Sequence, residues 1–379
     1  MMKFKILKAV AAICVIAVLT VSFFACSDTS DKDPAVSIWS ESGRIPYGYS
    51  LAKYIVLGEY NEVNVERIDF TYNSDVRISY DIASLFSEYS TYKETDRAFS
   101  GAMLTVNCTS YCDGAPSPIF NAEGVKIVID GATSFDSIGD PYVARLAGAS
   151  AEFALSSYDG SAHVTEATFV CPEYFDKYGC GGKTVTIKLE VVSVKELHIS
   201  EIPENTVSET TGYSSLSSLR SALSAEYEES DNALILDAYK DILWHRVQKD
   251  ATVISLPKEE LERCINEYVD HYKELAAFNG CSYEEYLSRE GIKGSDISAE
   301  AKEYADEKVR NELVAFAIAQ DEELIMSKPE FEEMALKLAE ASGYSGYREL
   351  IEYNREEQVY VYLTWQKVID HIVSHAQLD

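Results

Sequence analysis

Positive charge is scarce in this chain. Its 379 residues hold 33 Lys and Arg against 63 Asp and Glu, a formal charge of −30. A surface of that sign repels phosphate backbones and anionic headgroups and stays hydrated, so nucleic acid is excluded as a partner. Past the first 25 residues, no run is long and apolar enough to cross a bilayer. Cys108, Cys112, Cys171, Cys180, Cys264 and Cys281 include no CxxC pair and no histidine at zinc-ligand spacing, so no metal is expected. His371 and His375 stand four apart on an expected helix, but without HExxH or a third ligand they read as a solvated helix face. A Gly-rich phosphate loop and a serine nucleophile elbow are also missing, and no cofactor is expected.

The N-terminus has what the rest lacks. Lys3, Lys5 and Lys8 precede an apolar run from Ala9 to Phe24, broken only by Thr20 and Ser22, then Ala25-Cys26 and the polar stretch SDTSDKDP. That is the pattern of a secretory signal, and an apolar run of about 16 residues is short for a stable span. Cys26 after Phe-Phe-Ala resembles a lipoprotein signal, with Phe23 in place of the usual Leu. The expectation is a signal peptide over 1–25, lipidation of Cys26, and a protein exported and lipid-anchored on the extracytoplasmic face of the cell membrane. Without residues 1–25 the chain has 30 basic side chains against 63 acidic, a formal charge of −33. Residues 26–49, rich in Ser, Asp, Gly and Pro, read as a flexible tether. Export permits disulfides, and Cys171 and Cys180 flank one loop that a bridge could close; buried free thiols are the alternative.

From Met103 to Glu196 the pattern is of short alternating runs, MLTVNCTSY, VKIVIDG, AEFALSSY, ATFV and TVTIKLEVVSV, separated by Gly, Pro, Asp and Ser clusters. Period-two alternation of this kind predicts an antiparallel sheet with one covered face, Val185, Ile187, Leu189 and Val191 pointing to the core. PYVARLAGA, from Pro141 to Ala149, supplies one short helix to cover it. Past Glu201 the period becomes helical. Leu261, Ile265, Tyr268, Val269, Tyr272 and Leu275 recur at three- and four-residue steps behind Pro257, similar patterns run over 299–325, 329–341 and 356–375, and Gly280, Gly291 and Gly343 stop the helices. The fold class is therefore α+β, a small sheet domain followed by an all-α domain. Many of the 26 tyrosines fall in the helical part, among them Tyr268, Tyr272, Tyr283, Tyr286, Tyr304, Tyr344, Tyr347, Tyr353, Tyr360 and Tyr362. Tyrosine combines large contact area with a wet tip, which suits a surface that holds unfolded chains; ordinary helix packing is the plainer account.

The order of three segments carries a resemblance. FVCPEYFDKYGCGGKTVTIKLEVVSVKE (169–196), ILWHRVQKDATVISLPKEELERCINEYVDHY (242–272) and YIVLGEYNEVNVERIDF (54–70), the last followed by the helix-like DVRISYDIASLFSEYSTYKETDR, together resemble bacterial trigger factor beyond about residue 50. The ribosome-docking signature Gly-Phe-Arg-x-Gly-Lys is absent, so no ribosome is expected as a partner. The resemblance implies a strand–helix linker associated with the helical domain over 50–97, an FKBP-like isomerase domain over 98–199, and a helical chaperone domain with arms over 200–379. It implies a folding factor that binds unfolded or nascent exported polypeptides, and an isomerase, weak or degenerate, that acts on proline-containing segments. A non-catalytic holdase and a surface ligand-binding lipoprotein that reuses the fold are the alternatives.

An isomerase of this type needs no nucleophile. It lowers a barrier of about 18–20 kcal/mol by gripping a proline ring in a dry aromatic pocket. On the family pattern Phe120 is a pocket wall, Asn121 takes the place of the acidic partner, and Ile138 lies on the floor. Tyr142 and Leu146 follow on the helix, Tyr174 or Phe175 covers the mouth, and Ile187 stands where a strand aromatic is usual. Asn121 cannot bias the pocket by charge as an acid would.

Overall fold

The computed structural model describes residues 37–379 other than 162, 177 and 178. The signal segment, Cys26 and the first part of the tether lie outside the described residues. The described residues divide into two compact units, one of Val65–His245 with Leu378–Asp379, the other of 37–64 with Arg246–Gln377.

The first unit holds, in chain order, helix α1 (Ser74–Leu85), strands β1 (Ser90–Thr95), β2 (Ala102–Cys112) and β3 (Ala115–Val128), helix α2 (Pro141–Leu155), strands β4 (Val164–Val170) and β5 (Thr184–Ile199), and helices α3 (Glu204–Thr211) and α4 (Leu216–Asp250). Residues of α4 up to His245 belong to it. The five strands form one antiparallel sheet in the order β1-β5-β2-β3, with β4 also pairing β5. Val185, Ile187 and Leu189 of β5 are fully buried and Val191 nearly so, the covered face that the alternation predicts.

Helix α2 covers that face. Asp140 caps it by accepting from the Val143 N–H at 2.9 Å, Pro141 occupies its first turn, and Val143, Ala144, Ala147, Ala151 and Leu155 form one buried stripe. A Cβ on Gly148 would stand 1.9 Å from the Thr133 carbonyl oxygen, so only glycine lets the 131–134 turn pack this closely. Buried Arg145 donates to the Thr133 carbonyl at 3.0 Å, and buried Glu152 accepts from the backbone N–H groups of Gly131 and Thr133. The helix thus continues to Leu155. The strand expected in AEFALSSY does not form, because Ala151 and Leu155 satisfy a four-residue period and leave Phe153 84% exposed.

Two other expectations shift. STYKET, read as a continuation of the preceding helix, is edge strand β1, paired from Ser90↔Ile199 to Thr95↔Val194. Helix α1, expected to accompany the helical domain, packs Ile78, Ile82 and Phe86 against Ile202, Val207 and Leu219. Those residues lie within the expected helical domain, so α1 does pack on it; the difference is one of grouping, with 65–97 and 200–245 joined to the sheet in the first unit.

The second unit contains α5 (Lys258–Phe278), α6 (Tyr283–Glu290), α7 (Gly294–Asp321), α8 (Lys328–Ala341), α9 (Tyr347–Asn354) and α10 (Glu356–His375). Helix α7 packs on α5 and α10, and its run from Glu312 to Ala319 is buried on all sides. A strap from Ser37 to Leu51 is packed into these helices. Ile38, Tyr47 and Leu51 are buried, Trp39 meets Phe331 and Tyr360 with ring centroids 5.7 Å apart in each case, and the Ile38 N–H donates to Glu356 at 2.8 Å. The described part of the expected tether is therefore bound structure.

Candidate functional site

The sheet unit gathers most of the residues that the resemblance singles out. The register of β2 and β3 runs from Cys108↔Ala122 to Ser110↔Ser117, so β3 bulges over Pro118–Asn121. The bulge turns Phe120 inward, where its ring meets Phe135 at 6.0 Å and Phe169 at 5.6 Å, both edge-on. Ile138 enters from a short 3-10 turn that closes on Gly139 at φ 78°, and Phe175 and Ile187 join the same cluster. Phe120 and Ile138 are each 2% exposed, Phe175 8% and Ile187 0%. Leu146 packs at the cluster's edge.

Tyr142 and Asn121 stand apart. Tyr142 is half-buried, and its ring meets Phe70 at 5.9 Å, in the segment before α1. Asn121 is exposed, and its Oδ1 accepts from the Ser110 N–H at 2.8 Å and the Ser110 hydroxyl at 3.2 Å, which pins the bulge. Of the two mouth candidates, Tyr174 keeps the more surface and reaches Asp140 Oδ1 at 3.5 Å. Burial, then the Asp140 charge, pushes its hydroxyl far above the ordinary tyrosine range, so it is a neutral donor. A bound proline ring must touch its walls, yet here the walls are covered by Phe135 and Phe169. Nothing in the sequence marked Phe135 and Phe169 as the side chains that fill this space.

The helical unit carries a second candidate, which sequence reasoning missed. A cavity of about 310 Å³ is lined by Ile45, Pro46, Tyr47, Gly48, Tyr49, Ser50, Gln320, Ile325 and Tyr360. Gln320 shapes it by donating to the Tyr47 and Tyr49 carbonyls at 3.0 and 2.9 Å, and the Tyr47 ring stacks on Phe316 at 4.5 Å. Behind it lies a buried charge cluster. Arg263 pairs with Glu260 at 2.9 Å, with Glu267 at 3.7 Å and with Glu312; Lys308 pairs with Glu267; Arg44 reaches Glu260 at 2.7 Å; and the Tyr47 hydroxyl donates to Glu312 at 2.9 Å. The strap has no periodic apolar pattern, so its residues gave no signal. Of the ten tyrosines that the sequence places in the helical part, all but Tyr360 keep part of their surface outward, and the Tyr268 ring meets those of Tyr272 and Tyr304 at 5.5 and 5.2 Å.

Among the described residues no group of His, Cys, Asp or Glu is placed to hold a metal ion, and no helix is long and apolar enough to cross a membrane. Comparison with known proteins points in one direction. The family model described as the C-terminus of bacterial trigger factor matches residues 215–374. The trigger factor of Caldicellulosiruptor saccharolyticus is 21% identical over 325 residues, covering 85% of this chain and 70% of that protein. That of Geobacillus sp. strain WCH70 is 22% identical over 329 residues, 86% of this chain and 73% of that protein. The chain is a trigger-factor-like protein. A solved structure described as concerning promiscuous substrate recognition in folding and assembly by the trigger factor chaperone is 19% identical, covers 84% of this chain and 72% of its own, and has a TM-score of 0.36. The α+β class expected of a trigger-factor-like chain holds, and its function is chaperone-like, in protein folding.

Proposed function

We propose that this protein is an exported, lipid-anchored holding chaperone that binds unfolded polypeptides on its helical unit. In this reading the isomerase-like domain serves as a folded module without a working proline pocket. The contrast in aromatic exposure carries the reading. Apart from the buried Tyr47 and Tyr360, tyrosines of the helical unit keep partly open rings, whereas Phe120, Ile138 and Ile187 have almost no surface to offer a proline ring. The many weak contacts of several helical faces restrain a collapsing client better than one small pocket does.

The test removes the sheet at its natural seam. Ser200 N–H donates to the Tyr89 carbonyl at 2.8 Å, so the chain enters and leaves β1–β5 at adjacent points, and the cluster of Ile78, Ile82, Phe86, Ile202, Val207 and Leu219 lies outside the cut. A variant with Ser90–Ile199 removed and Tyr89 joined to Ser200 is expected to slow aggregation of a denatured client within about twofold of the full chain. The full chain is expected to leave proline-limited refolding unaccelerated. A folded but inactive deletion variant would move client binding to the sheet. Catalysed refolding would restore the isomerase reading, and a preference for one folded ligand over unfolded chains would favour a ligand-binding lipoprotein.

Anchoring rests on the N-terminal charge and apolar pattern. Cys26→Ser is expected to release the protein from membranes in cell fractionation, because the acyl chains supply most of the attachment. Continued membrane retention at normal abundance would point to an uncleaved signal segment.

A further inference from the structure

Thiols from two segments distant in the sequence converge at one end of the sheet. Cys112 closes β2, while Cys171 and Cys180 bracket the loop between β4 and β5. All three are buried, Cys171 and Cys180 completely and Cys112 with 9% of its surface remaining. The Cys112 Sγ lies 3.9 Å from the carbonyl of Gly179, the residue before Cys180. The Cys180 Sγ also lies 3.8 Å from the Ser117 hydroxyl, across the sheet from its own loop. The Cys171 Sγ is turned back to the Phe175 carbonyl at 3.8 Å. Within the loop, Cys171 N–H donates to Lys183 O at 2.9 Å, Gly182 N–H to Cys171 O at 3.0 Å and Lys183 N–H to Cys180 O at 3.1 Å, which holds the two loop cysteines in place.

We propose that Cys112 and Cys180 form a dithiol–disulfide site, oxidised by exchange with a small or protein disulfide, which fastens the loop bearing Tyr174 and Phe175 to the end of β2. The pairing differs from the loop-closing Cys171–Cys180 bridge that spacing alone suggests. Cys180 faces Ser117 on the strand that pairs with β2, Cys112 faces the carbonyl of Gly179 beside Cys180, and the Cys171 thiol faces a carbonyl of its own loop. The reaction balances as thiol–disulfide exchange. The Cys112 thiolate, the one with open surface, attacks a sulfur of R–S–S–R, forms the mixed disulfide and releases R–S⁻. Cys180 then attacks the Cys112 sulfur and releases the second R–S⁻. The two thiol protons end on two R–SH, and the oxidant disulfide takes both electrons. Burial first, and the Cys180 partner next, pushes the Cys112 thiol up to about 11, while burial pushes Cys171 to about 12. The site is therefore slow at neutral pH and speeds up as the solution becomes more alkaline.

The experiment incubates the folded full chain with oxidised glutathione at mildly alkaline pH, blocks remaining thiols, digests without reduction and maps linked peptides by mass spectrometry. A Cys112–Cys180 linked pair is expected in the wild type and in Cys171→Ser, and none in Cys112→Ser. The oxidised sheet unit is expected to melt roughly 5–15 °C higher than after reduction, because the bond closes a long loop in native geometry. A Cys171–Cys180 link, or no link in the folded wild type, would overturn the pairing. A linked protein that melts no higher would overturn the claim that the native fold seats the bond. Chromatography of Cys112→Ser and Cys171→Ser shows whether each folds, and failure of either variant leaves the wild-type peptide map decisive.

Discussion

Phe120→Ala is expected to destabilise the sheet unit by about 3–5 kcal/mol, the range for deleting a fully buried aromatic. Its ring is 2% exposed and fills the space between Phe135 and Phe169, and it is the one fully buried side chain of the β3 bulge, Ile119 packing only at the cluster's edge. Phe120→Leu keeps most of the volume and should cost about 1–2 kcal/mol. Urea unfolding, with hydrogen exchange followed on β2, β3 and β5 peptides, separates this loss from the helical unit. A pocket wall would behave differently: truncation would leave stability nearly unchanged and alter only ligand binding. If Phe120→Ala unfolds at the wild-type urea concentration, the core assignment is wrong and the isomerase pocket must be reconsidered.

Sequence patterns revealed the parts of the fold where one physical rule acts alone. Strand β5 buries one face and exposes the other, so its alternation is visible, and α10 runs over Glu356–His375 as its period predicts. Reading failed where two rules compete. The segment from Ala151 to Leu155 fits both period two and period four, and its fate is set by a helix already capped at Asp140 and held by Arg145 and Glu152. Edge strand β1 has exposed side chains along most of its length and is defined by backbone pairing alone, which no side-chain pattern announces. The 37–51 strap is composed like a tether, yet Ile38 bonds a residue 318 positions away.

The candidate site divides along the same line. The resemblance placed Phe120, Ile138, Phe175 and Ile187 together, and the structure does bring them together. Their exposure, which decides between wall and core, depends on Phe135 and Phe169 from other segments, and no spacing within one segment encodes that. Cys112 is a similar case, since its neighbour Cys180 is reached only through the β2–β5 pairing, in which Cys112 stands opposite Val185.

Arg263→Met is expected to destabilise the helical unit by about 3–5 kcal/mol at neutral pH, because it removes the charge that three buried carboxylates share. Burial is the largest single influence on Glu260 and Glu267 and pushes both upward. The charges and hydrogen bonds of their partners, Arg263 and Arg44 for the first and Lys308, Tyr304 and Arg263 for the second, together outweigh it, and both end below the ordinary carboxylate range. Burial dominates at Glu312, which ends above that range despite Arg263 and Lys308. The sign follows from linkage. A depressed carboxyl stabilises the fold above its unfolded value and loses that contribution as pH falls through its folded value. A raised carboxyl costs stability at neutral pH, and the cost is relieved by acid. Without Arg263 all three carboxyls move upward, so acid helps the variant more than the wild type. The deficit should therefore be largest near pH 7 and shrink toward pH 4, read by urea unfolding at both values with hydrogen exchange followed on α5 and α7. Adding Glu312→Gln to Arg263→Met should recover part of the loss at pH 7, since it removes a buried charge left without its main partner. A deficit that stays constant with pH, or a double variant no better than the single, would show that Arg263 acts through packing rather than charge.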